Sequence, residues 1–137
     1  MALTIPKRVF LEMLAAARAT APLEACGLLA GTDESVARCY VLTNADASAE
    51  HYRMLPVEQF AAVKDMRSTG LKMLAIWHSH PASPARMSDE DIRLAYTPDV
   101  LYVILSLVDP SGPKTCAFNV RDGVPHHIPV MIDEKES

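Results

Sequence analysis

Two histidines and an aspartate fall within fourteen residues in the middle of the chain: His78-Ser-His80-Pro81, six residues, then Ser88-Asp-Glu-Asp91. The apolar run from Leu71 to Trp77 lacks turn residues and is too short for a helix before Pro81, so it reads as a buried strand. Side chains alternate along a strand, so His78 and His80 point to one side. Two imidazoles so placed make half of a zinc site, and a hard anionic ligand must return to complete it. Asp91 can supply that ligand, with Asp89 as its rival. Three protein ligands leave a fourth position for water, which is the catalytic rather than the structural pattern. Bound zinc lowers the pKa of that water to about 7. Ser88-x-x-Asp91 ahead of Ile92, Leu94, Ala95 and Tyr96 also has the form of a helix N-cap with an acidic first turn. The two readings are compatible: Ser88 can cap while Asp91 binds metal.

Taken together, His78-x-His80-Pro81, Ser88-x-x-Asp91 and the upstream segment Glu24-Ala-Cys-Gly-Leu-Leu-Ala-Gly31 resemble the signature of the JAMM/MPN metallopeptidases. The resemblance extends over nearly the whole chain. It implies zinc (Zn2+) held by His78, His80 and Asp91, with Glu24 as general base and Ser88 as donor to the carbonyl oxygen. Spacing does not place Glu24 there; alone it would be a surface acid after a helix. Met87 departs from the bacterial pattern, which usually has Pro before the Ser, and this bears on loop stiffness rather than chemistry. Family members cleave peptide or isopeptide bonds after the C-terminal glycine of ubiquitin or ubiquitin-like proteins. The compact chain resembles the small prokaryotic branch, some of whose members trim ubiquitin-like sulfur-carrier proteins. The implied activity is a zinc-dependent peptidase or isopeptidase acting on such a carrier. The alternative is a non-catalytic MPN scaffold, although scaffolds usually lack part of the ligand set that this chain retains. A zinc nucleobase deaminase would require His-x-Glu and Pro-Cys-x-x-Cys, which are missing.

The supporting elements follow from periodicity. Val9, Phe10, Met13, Leu14 and Ala17 predict an amphipathic helix over 6–19. A hairpin of strands 24–30 and 35–43 turns at Gly31-Thr-Asp33, and 44–52 is a loop. Pro56 opens a helix that runs to Thr69 and closes at Gly70. After the metal loop come a short helix over 89–96 and strands over 100–108, 114–120 and 124–131, with Asp122-Gly123 as a hairpin turn. The expected class is mixed α/β, a single mixed sheet flanked by helices, and the resemblance implies the same MPN, cytidine-deaminase-like layout. Residues 1–132 are expected to form one domain and 133–137 a frayed tail. Trp77 should face the core, Cys26 should be a small buried filler, and His126 and His127 should point to opposite faces of a strand.

Composition narrows the partners. At 137 residues, 50% hydrophobic and 22% charged, the chain is globular. A net charge of −4 without a basic cluster argues against nucleic acid. No apolar run approaches the roughly 18 residues of a membrane span, and the N-terminus lacks a signal peptide's order. Cys26, Cys39 and Cys116 show no C-x-x-C spacing, so reduced thiols in a cytoplasm are expected.

Overall fold

The computed structural model describes residues 1–134. In chain order the elements are β1 (Leu3–Pro6), α1 (Lys7–Thr20), β2 (Cys26–Thr32), β3 (Ser35–Leu42), α2 (Pro56–Ser68), β4 (Lys72–His80), α3 (Asp89–Arg93), β5 (Leu101–Ser106), β6 (Lys114–Arg121), β7 (Val124–Ile128) and β8 (Val130–Asp133). The strands form one mixed sheet in the order β7-β6-β5-β4-β2-β3-β1-β8. β4 runs parallel to β5 and antiparallel to β2, so it sits near the centre, covered on both sides. β7 and β8 lie at opposite ends of that order, yet only Pro129 separates them in sequence. The last strands therefore tie the two ends of the sheet together and curl it around α1. Proline cannot donate to a ladder, so it suits the point where the strand changes partner. Its carbonyl accepts the Leu3 N–H at 2.9 Å as β8 joins β1.

The buried stripe of α1, Val9, Met13, Leu14 and Ala17, is the one its periodicity predicts. It packs with Leu29, Trp77, Val103 and Leu105 in the main core. On the other face, Ala62 and Met66 of α2 meet Cys26, Leu28 and Ala30. All six residues of β5 are buried, as a continuously apolar strand requires.

Several expectations are corrected. β1 was not predicted: four residues are too few to show alternation, and Pro6 is the N-cap of α1 rather than its first residue. β2 begins at Cys26, leaving Glu24 just ahead of it, and the hairpin turns at Asp33 and Glu34 instead of Gly31. α2 forms where expected, but Val57 and Phe60 face solvent at 73% and 70% exposure while Ala62 and Met66 are buried. α3 stops at Arg93 rather than 96, with Leu94 as its C-cap. The strand expected over 124–131 is broken at Pro129. Of the tail expected to fray from 133, Asp133 ends β8, and residues 135–137 lie outside the described residues.

Gly27 shows how tightly β2 is enclosed. A Cβ there would lie 1.9 Å from the Tyr40 carbonyl oxygen and 2.5 Å from Trp77 Nε1. Backbone cannot yield as a flexible side chain can, so Gly27→Ala should destabilise the fold by about 3 kcal/mol or more. Urea unfolding would measure this, and an unchanged midpoint would contradict the packing described.

Candidate active site

His78 and His80 stand at the C-terminal end of β4, opposite Ile104 and Ser106 of β5. Being two apart, they share a face, and Trp77 between adjacent ladders points into the main core as expected. The chain then leaves the sheet through Pro81 and returns at Ser88. That loop is pinned from beneath, because the buried Ser106 hydroxyl donates to the Ser83 carbonyl at 2.6 Å. Ser88 caps α3 in a reciprocal capping box. Its Oγ accepts the Asp91 N–H at 3.0 Å, and Asp91 Oδ2 accepts the Ser88 N–H at 3.0 Å. The cap thus fixes the carboxylate that the site needs.

Asp91 Oδ2 lies 3.3 Å from His78 Nε2 and 3.1 Å from His80 Nε2, and the two Nε2 atoms are 3.1 Å apart. Three donor atoms form a nearly equilateral triangle. Zinc bonds of roughly 2.0–2.1 Å in a tetrahedron require edges of about 3.3–3.4 Å, so the triangle fits one cation with a corner left over. Asp89 is exposed, whereas Asp91 is buried and stands against both imidazoles. His80 Nδ1 donates to the Pro84 carbonyl at 2.8 Å, turning the Nε2 lone pair toward the centre. His78 Nδ1 is buried with no partner among the described residues; its ring stacks instead on Tyr52, centroids 4.8 Å apart.

Glu24 comes from the other side of β4. It is 2% exposed, and its Oε1 has no hydrogen-bond partner among the described residues. Glu24, His78 and His80 each place a donor atom within 4.8 Å of the others. Its neighbour is fixed by β4, since the Ala25 N–H donates to Ser79 Oγ at 2.8 Å and the Ser79 N–H to the Ala25 carbonyl at 2.9 Å.

The electrostatics sort these groups by role. Burial pushes the Glu24 carboxyl up to about 8, a rise that His80 opposes and Asp91 adds to. Burial would also raise Asp91, but hydrogen bonds to His78 and His80 outweigh it and hold the group below the usual carboxylate range. Burial keeps His78 low and therefore neutral. At His80 burial acts the same way, and bonds to Asp91 and the Pro84 carbonyl overcome it, so the net direction is upward. A buried, orphaned carboxylate facing two imidazoles and an ionised aspartate is costly unless a cation compensates it. The donor set therefore fits a zinc-sized ion.

Other residues fall into place around this centre. Ser88 Oγ accepts through its oxygen in the cap, so its own proton remains for another acceptor. Cys26 is fully buried, with its thiol directed at the Leu42 and Thr43 carbonyls, and burial raises it to about 12. His51 pairs with Asp46 at 3.1 Å and lines the mouth of the site with Tyr52, Glu90 and Leu94. His127 packs edge-on against Phe118, away from the centre. Sequence reading missed Tyr52, Ser79 and the Pro84 carbonyl, and none of them leaves a periodic or spacing signal.

Residues 6–119 match a family model described as prokaryotic homologs of the JAB domain. Over 125 residues the chain is 36% identical to the CysO-cysteine peptidase of Mycobacterium tuberculosis, covering 90% of this chain and 86% of that protein. It is 38% identical over 94 residues to a TtuB-protein conjugate cleaving protease of Thermus thermophilus, covering 68% and 63%. Among solved structures, protein DSY2949 of Desulfitobacterium hafniense superposes with a TM-score of 0.89 at 45% identity, over 98% of this chain and 95% of that one. The matched segment runs from α1 into β6 and takes in Glu24, His78, His80, Ser88 and Asp91: the chain belongs to the prokaryotic JAB-domain family.

Proposed function

We propose that this protein is a zinc-dependent hydrolase that cuts the amide bond after the C-terminal glycine of a ubiquitin-like sulfur-carrier protein. The observation that carries the reading is the triangle of His78, His80 and Asp91 donor atoms, 3.1–3.3 Å on a side, beside the orphaned carboxylate of Glu24. The two relatives named above carry peptidase and protease names, and each name describes an adduct, CysO with cysteine in one and a TtuB-protein conjugate in the other. Hydrolysis of such an adduct is the chemistry they share.

Zinc, when bound by His78, His80 and Asp91, supplies a Lewis acid that makes water a nucleophile near neutral pH. Glu24, buried beside the two imidazoles, then takes the water's proton and passes one to the leaving amine, the task of a general base set next to the metal rather than on it. Ser88 donates its free hydroxyl proton to the carbonyl oxygen as charge gathers there, a contact worth about 2.7–4 kcal/mol at comparable donors. The Pro84 carbonyl keeps His80 in the tautomer that presents Nε2. A cleft of about 340 Å³, lined by Tyr52, Met54, Leu94, Tyr96 and Tyr102 among others, opens beside these groups and can receive an extended tail.

No helix among the described residues is long and apolar enough to cross a membrane. Three free cysteines suit a reducing compartment, so we place the protein in the cytoplasm.

The test uses zinc-loaded protein and carriers ending in Gly-Gly extended by one or more residues, followed by mass. The expected product is the carrier shortened to its terminal glycine. No cleavage across a panel of carriers would reject the substrate and leave the metal centre standing. Purification without stoichiometric zinc would favour the scaffold alternative.

A further inference from the structure

Asn44 ties the loop between β3 and α2 both to itself and to Glu24. Asn44 Nδ2 donates to the His51 carbonyl at 3.0 Å and to the Glu24 carbonyl at 3.1 Å, with the Ser48 carbonyl at 3.5 Å as a weaker third contact. Its Oδ1 accepts the Asp46 N–H at 3.1 Å and the Arg53 N–H at 3.2 Å. An amide side chain has two donors and two lone pairs, so Asn44 is saturated. The same loop takes the Glu24 N–H onto the Ser48 carbonyl at 2.8 Å. Glu24 lies outside β2, so no ladder fixes its backbone; its N–H and its carbonyl both end on this loop. The loop also carries Tyr52, whose ring stacks on His78.

We propose that Asn44 is a positioning residue: through its bond to the Glu24 carbonyl it sets where that carboxylate stands relative to His78 and His80. The proposal rests on the reading of Glu24 as general base. Oδ1 serves the loop alone, through Asp46 and Arg53, while Nδ2 serves both the loop, at His51 and Ser48, and the clamp on Glu24. Asn44→Asp keeps the Oδ1 closure and removes both donors at nearly constant shape, and amide protection at Asp46 and Arg53 reports whether the loop holds without them. A reacting group misplaced by about an ångström can lose on the order of 100-fold in rate.

The experiment compares zinc-loaded wild type, Asn44→Asp and Asn44→Ser, the last replacing the whole amide by a shorter hydroxyl without adding charge. Steady-state kinetics on an extended carrier are read together with zinc affinity and amide hydrogen exchange at Asp46 and Arg53. The expected result is a kcat about 10–100-fold lower in both variants, with KM and zinc affinity within about twofold of wild type. In Asn44→Asp the two amides stay protected. Full kcat in both variants would overturn the proposal. So would a loss that appears in KM, in zinc affinity or in melting temperature instead, because that would make Asn44 a purely structural residue. Glu24→Gln run alongside separates the two failures. If it is inactive while the Asn44 variants turn over at full rate, only the clamp is wrong. If Glu24→Gln itself is fully active, the base assignment falls.

Discussion

His80→Ala is expected to lose zinc and activity together. The residue supplies one corner of a triangle whose other corners lie 3.1 Å away, and the remaining pair, His78 and Asp91, is too few for a stable site. Loss of an outer-shell partner of a metal ligand typically costs 10–100-fold in affinity, so loss of the ligand should cost more, at least about 10³-fold. Turnover should follow occupancy down. His80 makes a sharper test than His78 because two groups hold its ring, the Pro84 carbonyl on Nδ1 and Asp91 on Nε2. Zinc content by emission spectroscopy, measured beside cleavage rate, decides the matter. Stoichiometric zinc in His80→Ala would show that a different set of donors holds the ion.

The triangle of donor atoms was legible because two local rules converge on it. Strand alternation puts His78 and His80 on one face, and the capping rule puts Asp91 at N3 of α3, where its carboxylate is tied to the Ser88 N–H. Both rules act within fourteen residues, so neither depends on tertiary packing. Glu24 is different. It precedes its strand, it reaches the centre only because β2 lies beside β4 with Cys26 opposite His78, and nothing in the spacing shows that pairing. Resemblance to a family singled it out; periodicity could not. Asn44 and Tyr52 are less visible still, because side-chain bonds to backbone and a ring stacked across a loop leave no repeating pattern. The same limit explains the errors in the fold. β1 acquires its strand character from β8, about 125 residues later in the chain by the registry Leu3 to Val130. In α2 the spacing marks a helix but not its buried face, which small Ala62 and flexible Met66 make against the sheet while Val57 and Phe60 stay outside.

Glu24→Gln should keep zinc and lose turnover, by about 10²–10⁴-fold, because proton transfer by a positioned carboxyl contributes on that scale. It should also stabilise the metal-free protein. Burial holds the Glu24 carboxyl near pH 8 in the folded chain, against 4.5 ordinarily. Below pH 4.5 the group is protonated in both states and its stability contribution is fully present. As pH rises from there, the unfolded chain gives up the proton while the folded chain retains it, and that contribution is lost progressively until pH 8. Glutamine, always neutral, escapes the loss. Allowing for screening by solvent at the open side of the site, the variant should gain about 2 kcal/mol at neutral pH. Melting curves of chelator-treated wild type and variant should coincide near pH 4 and separate steadily up to pH 8. With zinc bound, the cation offsets the buried charge, and the two proteins should melt closer together. A variant that hydrolyses at full rate would mean another group moves the proton. A gap in melting temperature that ignores pH would mean that Glu24 is hydrated in solution, and that its lack of a hydrogen-bond partner does not mark a place prepared for positive charge.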